Sequence, residues 1–415
     1  MLTKQTIEQV IISQRERLSK AGKTLPRAVK GIDNLTSHAF IVTGVRRCGK
    51  STLLQQINNT MAQPSIYINF EDPRLAAFDL NDFNRLHEIA VKDSVSIWFF
   101  DEIQLIDKWE SFIRFRIDEG YRIFISGSNA TMLSKELGTK LTGRHISKEL
   151  FPFSYQEFLQ FTEQSEGETS SETYITGGGF PEFLKTGLPE VLMQLFNDII
   201  IRDIALRYNI KNVTILQQLA VWLVSNCGKL FTGNSLRKMF QIGSSSSVME
   251  YLSFFNDAYL FFYVPRFSFS GKVQMVNPKK VYCIDNGFIQ HNSVSFTPDN
   301  GRLLENMVFL HLRRKTKEIY YFAEKNECDF VVFQQKKPEG IYQVCWQLNQ
   351  DNLNRELNGL KEAMDYFKVR KGTIITFNQN ETFEIGNKTC NVIPFYDWAK
   401  TTGNNNKTTF IMNFI

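Results

Sequence analysis

Residues 44–51 read Gly-Val-Arg-Arg-Cys-Gly-Lys-Ser and satisfy the pattern G-x-x-x-x-G-K-[ST]. Ahead of them, residues 38–43 (HAFIVT) form a short run of β character, and behind them STLLQQINNTMA sets Leu53, Leu54 and Ile57 at helical spacing. Strand, glycine loop and helix, in that order, is the context in which this pattern wraps a phosphate chain. Glycines let backbone N–H groups turn inward around phosphate oxygens, and a helix beginning near Lys50 points its positive dipole end at the anion. The reading assigns Gly44, Val45, Arg46, Arg47, Cys48, Gly49 and Thr52 to nucleotide binding, Lys50 to the β- and γ-phosphates, and Ser51 to Mg2+.

Outward from the loop, further strands are expected at Ser65 to Phe70, Val95 to Phe100 and Arg122 to Ser126, with helical segments between them. Strands alternating with helices predict a mostly parallel sheet covered on both faces, spanning about residues 30–165. The apolar strand VSIWFF ends in Asp101-Glu102, the acidic half of a phosphoanhydride site. Asp101 is expected to hold Mg2+ through water and Glu102 to polarise the attacking water. Gly127-Ser128-Asn129-Ala130 follows the next strand, which puts Ser128 where a γ-phosphate can be sensed. Leu141-Thr142-Gly143-Arg144 offers an arginine in a loop.

Beyond residue 185 the alternation stops. Residues 185–265 read as helices, and Gly243 to Ser247 as the N-cap of one of them, because Ser caps well and an apolar helix follows. YLFFYVPRF and VQMVNPKKVYCID flank a Ser-Gly-Lys turn, so helix, turn, helix and hairpin outline a winged helix. From about Leu303 the order is helix, three strands, helix, strand, a further α/β unit. The expected domains are 1–185, 186–290 and 291–415.

Length and composition agree with several domains. At 415 residues the chain exceeds the roughly 250 to 300 at which one core stops growing. A charge of +5 is too dilute over that length to diagnose a polyanion partner. Six well-separated cysteines without a C-x-x-C pair fit reduced thiols and a cytoplasmic setting. Neither a secretory h-region nor an apolar run of about 18 residues occurs, so no membrane association is expected. The 36 Phe residues read as core: Phe99, Phe100 and Phe124 in buried strands, Phe254, Phe255, Phe261 and Phe262 where helices meet the hairpin.

The whole set of segments, from GVRRCGKSTLL through INFEDPRL, FFDEIQLIDKWE, ISGSNATML, LTGRHISKELFPFSYQEFL and YITGGGFPEFL to NPKKVYCIDNGF and LLENMVFLHLRRK, resembles a prokaryotic family of AAA-type P-loop ATPases. The resemblance spans nearly the whole chain. It implies an ATPase core, a winged-helix-like segment and a C-terminal domain like the PD-(D/E)xK nucleases, and it raises Arg144 to an expected finger or sensor acting in its own or a neighbouring subunit. Nucleases of that type need an acid on a helix, an aspartate on a strand and an acid-x-lysine on the next strand. Here Glu305 and Asp329 fill the first two positions, whereas Gln343 and Cys345 stand where the acid and the lysine belong, so cutting is not expected. Lys279-Lys280, Arg313-Arg314-Lys315, Lys336-Lys337 and Arg237-Lys238 are basic clusters that permit DNA or protein binding.

Taken together, the sequence predicts an ATP- and Mg2+-dependent hydrolase, with Lys50, Ser51, Asp101, Glu102, Ser128 and Arg144 as working residues. Nucleotide state would be coupled to the other domains, and the chain can self-associate. A nucleotide-regulated DNA-binding module with an inactive nuclease domain is the competing expectation.

Overall fold

The HAFIVT run forms β1 (Ala39–Thr43), buried along its whole length. Its neighbours are parallel to it: β2 (Ser65–Asn69), β3 (Ile97–Asp101), β4 (Arg122–Gly127) and β5 (His145–Glu149) make one sheet of order β5-β1-β4-β3-β2. The computed structural model describes residues 2–19, 24–27, 37–129, 144–295 and 299–401. These divide into two compact units, residues 1–152 with 257–260, and residues 153–256 with 261–415.

In the first unit helices Lys50–Thr60, Leu80–Lys92 and Trp109–Asp118 connect the strands. Helix Leu80–Lys92 starts at a capping box in which Asp79 and Asp82 each bond the other's backbone N–H, leaving Phe83, Leu86 and Ile89 to face the sheet. There Phe83 stacks on Phe112 at 4.4 Å and meets Phe78 edge-on at 5.0 Å. Much of the aromatic excess is therefore core, each buried ring contributing about 1.5 to 3 kcal/mol. Helix Lys4–Ser19 buries Ile7 and Val10 in the same core. Strand β5, HISKE, was not expected from the sequence. An edge strand with partly exposed residues lacks the apolar run that betrays a central one.

The second unit holds two sheets. Helix Val213–Ser225, β6 (Leu230–Phe231), helices Gly233–Met239 and Ser245–Asp257, β7 (Phe261–Pro265), helix Gly271–Val276 and β8 (Lys279–Cys283) follow one another, and the strands pair antiparallel in the order β6-β8-β7. The helix Gly271–Val276 replaces the tight hairpin turn expected there, Ser270 capping it by accepting the Val273 N–H. Ser244 caps helix Ser245–Asp257, accepting the Ser247 N–H at 3.0 Å. Helix Asn300–Arg313 then leads into the antiparallel meander β9 (Ile319–Ala323), β10 (Glu327–Gln334), β11 (Lys337–Val344). Helix Leu353–Phe367 crosses over to β12 (Lys371–Thr376), parallel to β11. The last strands, β13 (Glu381–Ile385) and β14 (Lys388–Pro394), complete the order β13-β14-β12-β11-β10-β9.

The units divide differently from the three expected domains. Residues 153–185 join the second unit rather than the nucleotide core. Phe153 N–H donates to the Gly179 carbonyl at 2.7 Å and its own carbonyl accepts the Tyr174 hydroxyl at 2.8 Å, while Gly179 N–H donates to Asp285 at 2.7 Å. Residues 186–290 and 291–415 also fall in one unit instead of two.

Candidate functional site

Thr43 ends β1 and the chain enters the loop at Gly44, where a Cβ would lie 2.1 Å from the Leu150 carbonyl oxygen. Only glycine fits that approach. Gly49 closes the loop at φ 103, a left-handed conformation, immediately before helix Lys50–Thr60. From outside, the Arg27 guanidinium donates to the carbonyls of Cys48 and Phe151, each at 3.0 Å, and Cys48 is buried with its thiol 3.3 Å from Leu150 O. Burial pushes that thiol's pKa up, so Cys48 packs rather than reacts. Lys50 is buried in the loop: its ammonium donates to Gly44 O at 3.1 Å and Val45 O at 3.2 Å, and lies 3.5 Å from Glu102. Arg46 turns aside to pair with Glu71 at 2.9 Å.

Register brings the acidic pair to this loop. β4 lies between β1 and β3, with Thr43 opposite Gly127 and Phe100 opposite Ile125, so the strands end side by side. Asp101 is fully buried and bonded by the Ser126 hydroxyl, the Tyr67 hydroxyl at 2.6 Å and the Asn69 amide at 3.0 Å, and Ser51 is among the groups that favour its ionised form. Burial and then the neighbouring Glu102 charge raise its pKa, against those bonds. Glu102 adopts φ 54 in the left-handed region, and Gln104 donates its amide to the carboxylate. Tyr67, Asn69, Ser126 and Gln104 escaped sequence reading because they reach the site only through strand pairing and a short turn. Ser128 follows β4, and its hydroxyl is buried without a hydrogen-bond partner among the described residues. Ala130 and Leu141 to Gly143 lie outside the described residues.

Arg144 does not join this constellation. It immediately precedes β5, its carbonyl accepting the N–H of Ala39, the first residue of β1. That places it at the opposite end of β1 from Gly44, about 15 Å away at about 3.3 Å per residue. Its guanidinium is 46% exposed and pairs with Asp118. The direction of β5 thus carries Arg144 away from this chain's own glycine loop.

The second unit gathers the residues read as nuclease-like. Glu305 on helix Asn300–Arg313 and Asp329 on β10 meet at Lys280 of β8, whose ammonium lies 3.1 Å from Glu305, 2.8 Å from Asp329 and 2.8 Å from Glu327. Tyr282 donates to Glu305 at 2.6 Å. Burial, reinforced by Asp329 and opposed by Lys280, raises Glu305 to about 7. Gln343 accepts the Asp329 N–H at 3.2 Å and donates to Glu356 at 2.6 Å. Cys345 lies just past the end of β11 and faces Gln347 and Asn352. Lys280 was read only as part of a basic surface pair; it is buried, 4% exposed, and unavailable to a nucleic acid.

Among the described residues no helix is long and apolar enough to cross a membrane. A five-stranded parallel sheet with a glycine loop after β1 and an acidic pair ending β3 defines a P-loop nucleotide-binding core of the AAA type, and a family model described as an AAA domain matches residues 36–159. A second model, a domain of unknown function (DUF8612), matches residues 168–297. The chain belongs to the same family as the uncharacterized protein MJ1544 of Methanocaldococcus jannaschii, with which it is 33% identical over 97% of each chain. An uncharacterized protein of Haemophilus influenzae is 29% identical over 88% of this chain and 94% of its own. Among solved structures, the Thermotoga maritima RuvB Holliday junction branch migration motor is 14% identical, covering 63% of this chain and 88% of that one, with a TM-score of 0.27. A katanin self-assembly structure is likewise 14% identical, over 48% and 68%, with a TM-score of 0.26. Likenesses this distant carry no conclusion.

Proposed function

We propose that this protein binds ATP with Mg2+ at residues 44–52 and hydrolyses its terminal phosphoanhydride, coupling nucleotide state to the second unit. The observation that carries the reading is the meeting of Lys50, Ser51, Asp101 and Glu102 at one strand-end crevice, the usual ligand position in a parallel sheet. Lys50 exchanges its loop carbonyls for phosphate oxygens. Ser51 and Asp101 are hard oxygen donors near enough for the serine to favour the ionised carboxylate, a pair that suits Mg2+. Ser51 and Asp101 would hold the metal, which would supply positive charge against that developing on the phosphoryl oxygens. Glu102 orients the attacking water, and the free hydroxyl of Ser128 is the group left to meet the γ-phosphate. Arg144, remote from this crevice, is left with a role toward a neighbouring copy of the chain.

Coupling is supported by the segment Asp257–Leu260, which belongs to the first unit and leads directly into β7 of the second. The order of helices and strands from Val213 to Cys283, with the short helix Gly271–Val276 inserted between β7 and β8, supports a winged-helix reading. Its third helix, Ser245–Asp257, carries Glu250 and Asp257 and no Lys or Arg, which disfavours the DNA-reading alternative. Lys50→Ala tests the assignment: ATP turnover is expected to fall by two orders of magnitude or more, and turnover equal to wild type would refute the site.

A further inference from the structure

A second charged centre, independent of the nucleotide site, lies in the second unit, where Glu305, Glu327 and Asp329 surround Lys280. An ammonium group has three N–H donors and no acceptor. Lys280 has three carboxylate partners at 2.8 to 3.1 Å, so each donor has an oxygen to meet. The lysine arrives from β8, while its partners come from helix Asn300–Arg313 and from the start of β10. Gln343, where an acid would complete a metal shell, turns its amide to Glu356 instead. Among the described residues no group of three His, Cys, Asp or Glu side chains is arranged to hold a metal ion.

We propose that Glu305, Glu327 and Asp329 form a cation site that the chain fills with its own Lys280 ammonium in place of a divalent metal. The lysine fastens the hairpin sheet to the C-terminal sheet and leaves no room for metal-dependent cleavage of a phosphodiester. It is one of several ties between residues 186–290 and 291–415, which share one compact unit. A catalytic lysine would need a donor directed at a phosphate or a water; here the carboxylates take them all. Removing the amine, conversely, leaves three carboxylates without their cation, and their oxygens, drawn in around the vacated position, are the donors that hard divalent cations prefer.

The full chain without nucleotide is titrated with Mn2+, following bound metal by electron paramagnetic resonance and thermal stability in parallel. Wild type is expected to show no Mn2+ site that depends on Asp329. Lys280→Met is expected to gain one Mn2+ per chain and to melt several degrees higher with Mn2+ than without, since a ligand of the folded state stabilises it. Adding Asp329→Asn to Lys280→Met should abolish both effects. A wild-type Mn2+ site lost in Asp329→Asn overturns the proposal, and so does a folded Lys280→Met that gains none. Should Lys280→Met fold only in Mn2+, that dependence meets the expectation. Should it fold in neither condition, the wild-type titration decides alone.

Discussion

Glu102 shows how much a single residue's surroundings determine. Its carboxylate has Lys50 at 3.5 Å and the Gln104 amide as partners, and the carbonyl oxygen of that amide is itself buried without a hydrogen-bond partner among the described residues. A carboxylate that accepts a hydrogen bond is a weaker base than a free one, and an amide satisfied at only one end gains little from the arrangement. To orient a water, Glu102 must release Gln104. Gln104→Ala is therefore expected to raise basal ATP turnover several-fold, the rate equivalent of a hydrogen bond of about 1 kcal/mol, with KM for ATP unchanged. A fall in kcat at unchanged KM would mean instead that the amide positions the carboxylate for attack. Lys50, Asp101 and Glu102 were legible because their pattern is local. Gln104 carries no signature, and its role appears only once Glu102 takes its left-handed turn.

At the scale of elements, the end of β1 is tied to the route into β7. Tyr259, itself left-handed at φ 60, donates its buried hydroxyl to Thr43 Oγ1 at 2.7 Å, one residue before Gly44. Any shift of the loop on binding phosphate pulls on that bond, and the strand Phe261–Pro265 begins two residues later. Tyr259→Phe removes the hydroxyl and keeps the ring. It is expected to cost about 1 kcal/mol of stability and leave turnover within about a factor of two. Backbone hydrogen exchange over residues 245–265 is the telling readout: ATP should alter it in wild type and not in Tyr259→Phe. An identical ATP response in both would rule out this link. A contrasting case is the run Gly177-Gly178-Gly179, which looks like a second phosphate loop. Gly178 has φ 78 and a Cβ there would lie 1.8 Å from an Asp285 oxygen, while one at Gly179 would lie 2.3 Å from Phe153 O. Those glycines serve close packing, not an anion.

For the whole molecule, sequence periodicity exposed the strands buried on both faces and missed the exposed edge β5 and the late strands β13 and β14. The central acid of the second unit was equally hidden, because one of its two partners, Gly179, is more than a hundred residues away. Asp285 accepts the N–H groups of Gly179 at 2.7 Å and Gly287 at 2.8 Å, binding residues 153–185 to helix Asn286–Asn292. Burial raises its pKa to about 7 despite those bonds and the Arg314 charge. The sign of the consequence follows from linkage. The folded chain keeps a proton that the unfolded chain loses near the ordinary aspartate value, so this contribution is complete below about pH 4 and disappears as pH rises through about 7. It amounts to a few kcal/mol, on the order of the burial penalty on the ionised form. Thermal melts are thus expected to show a falling Tm between pH 5 and pH 8, and Asp285→Asn, which cannot titrate, should flatten the fall while lowering Tm at pH 5. A slope unchanged by Asp285→Asn would assign the pH dependence to other groups and leave the Asp285 carboxyl ionised in the fold.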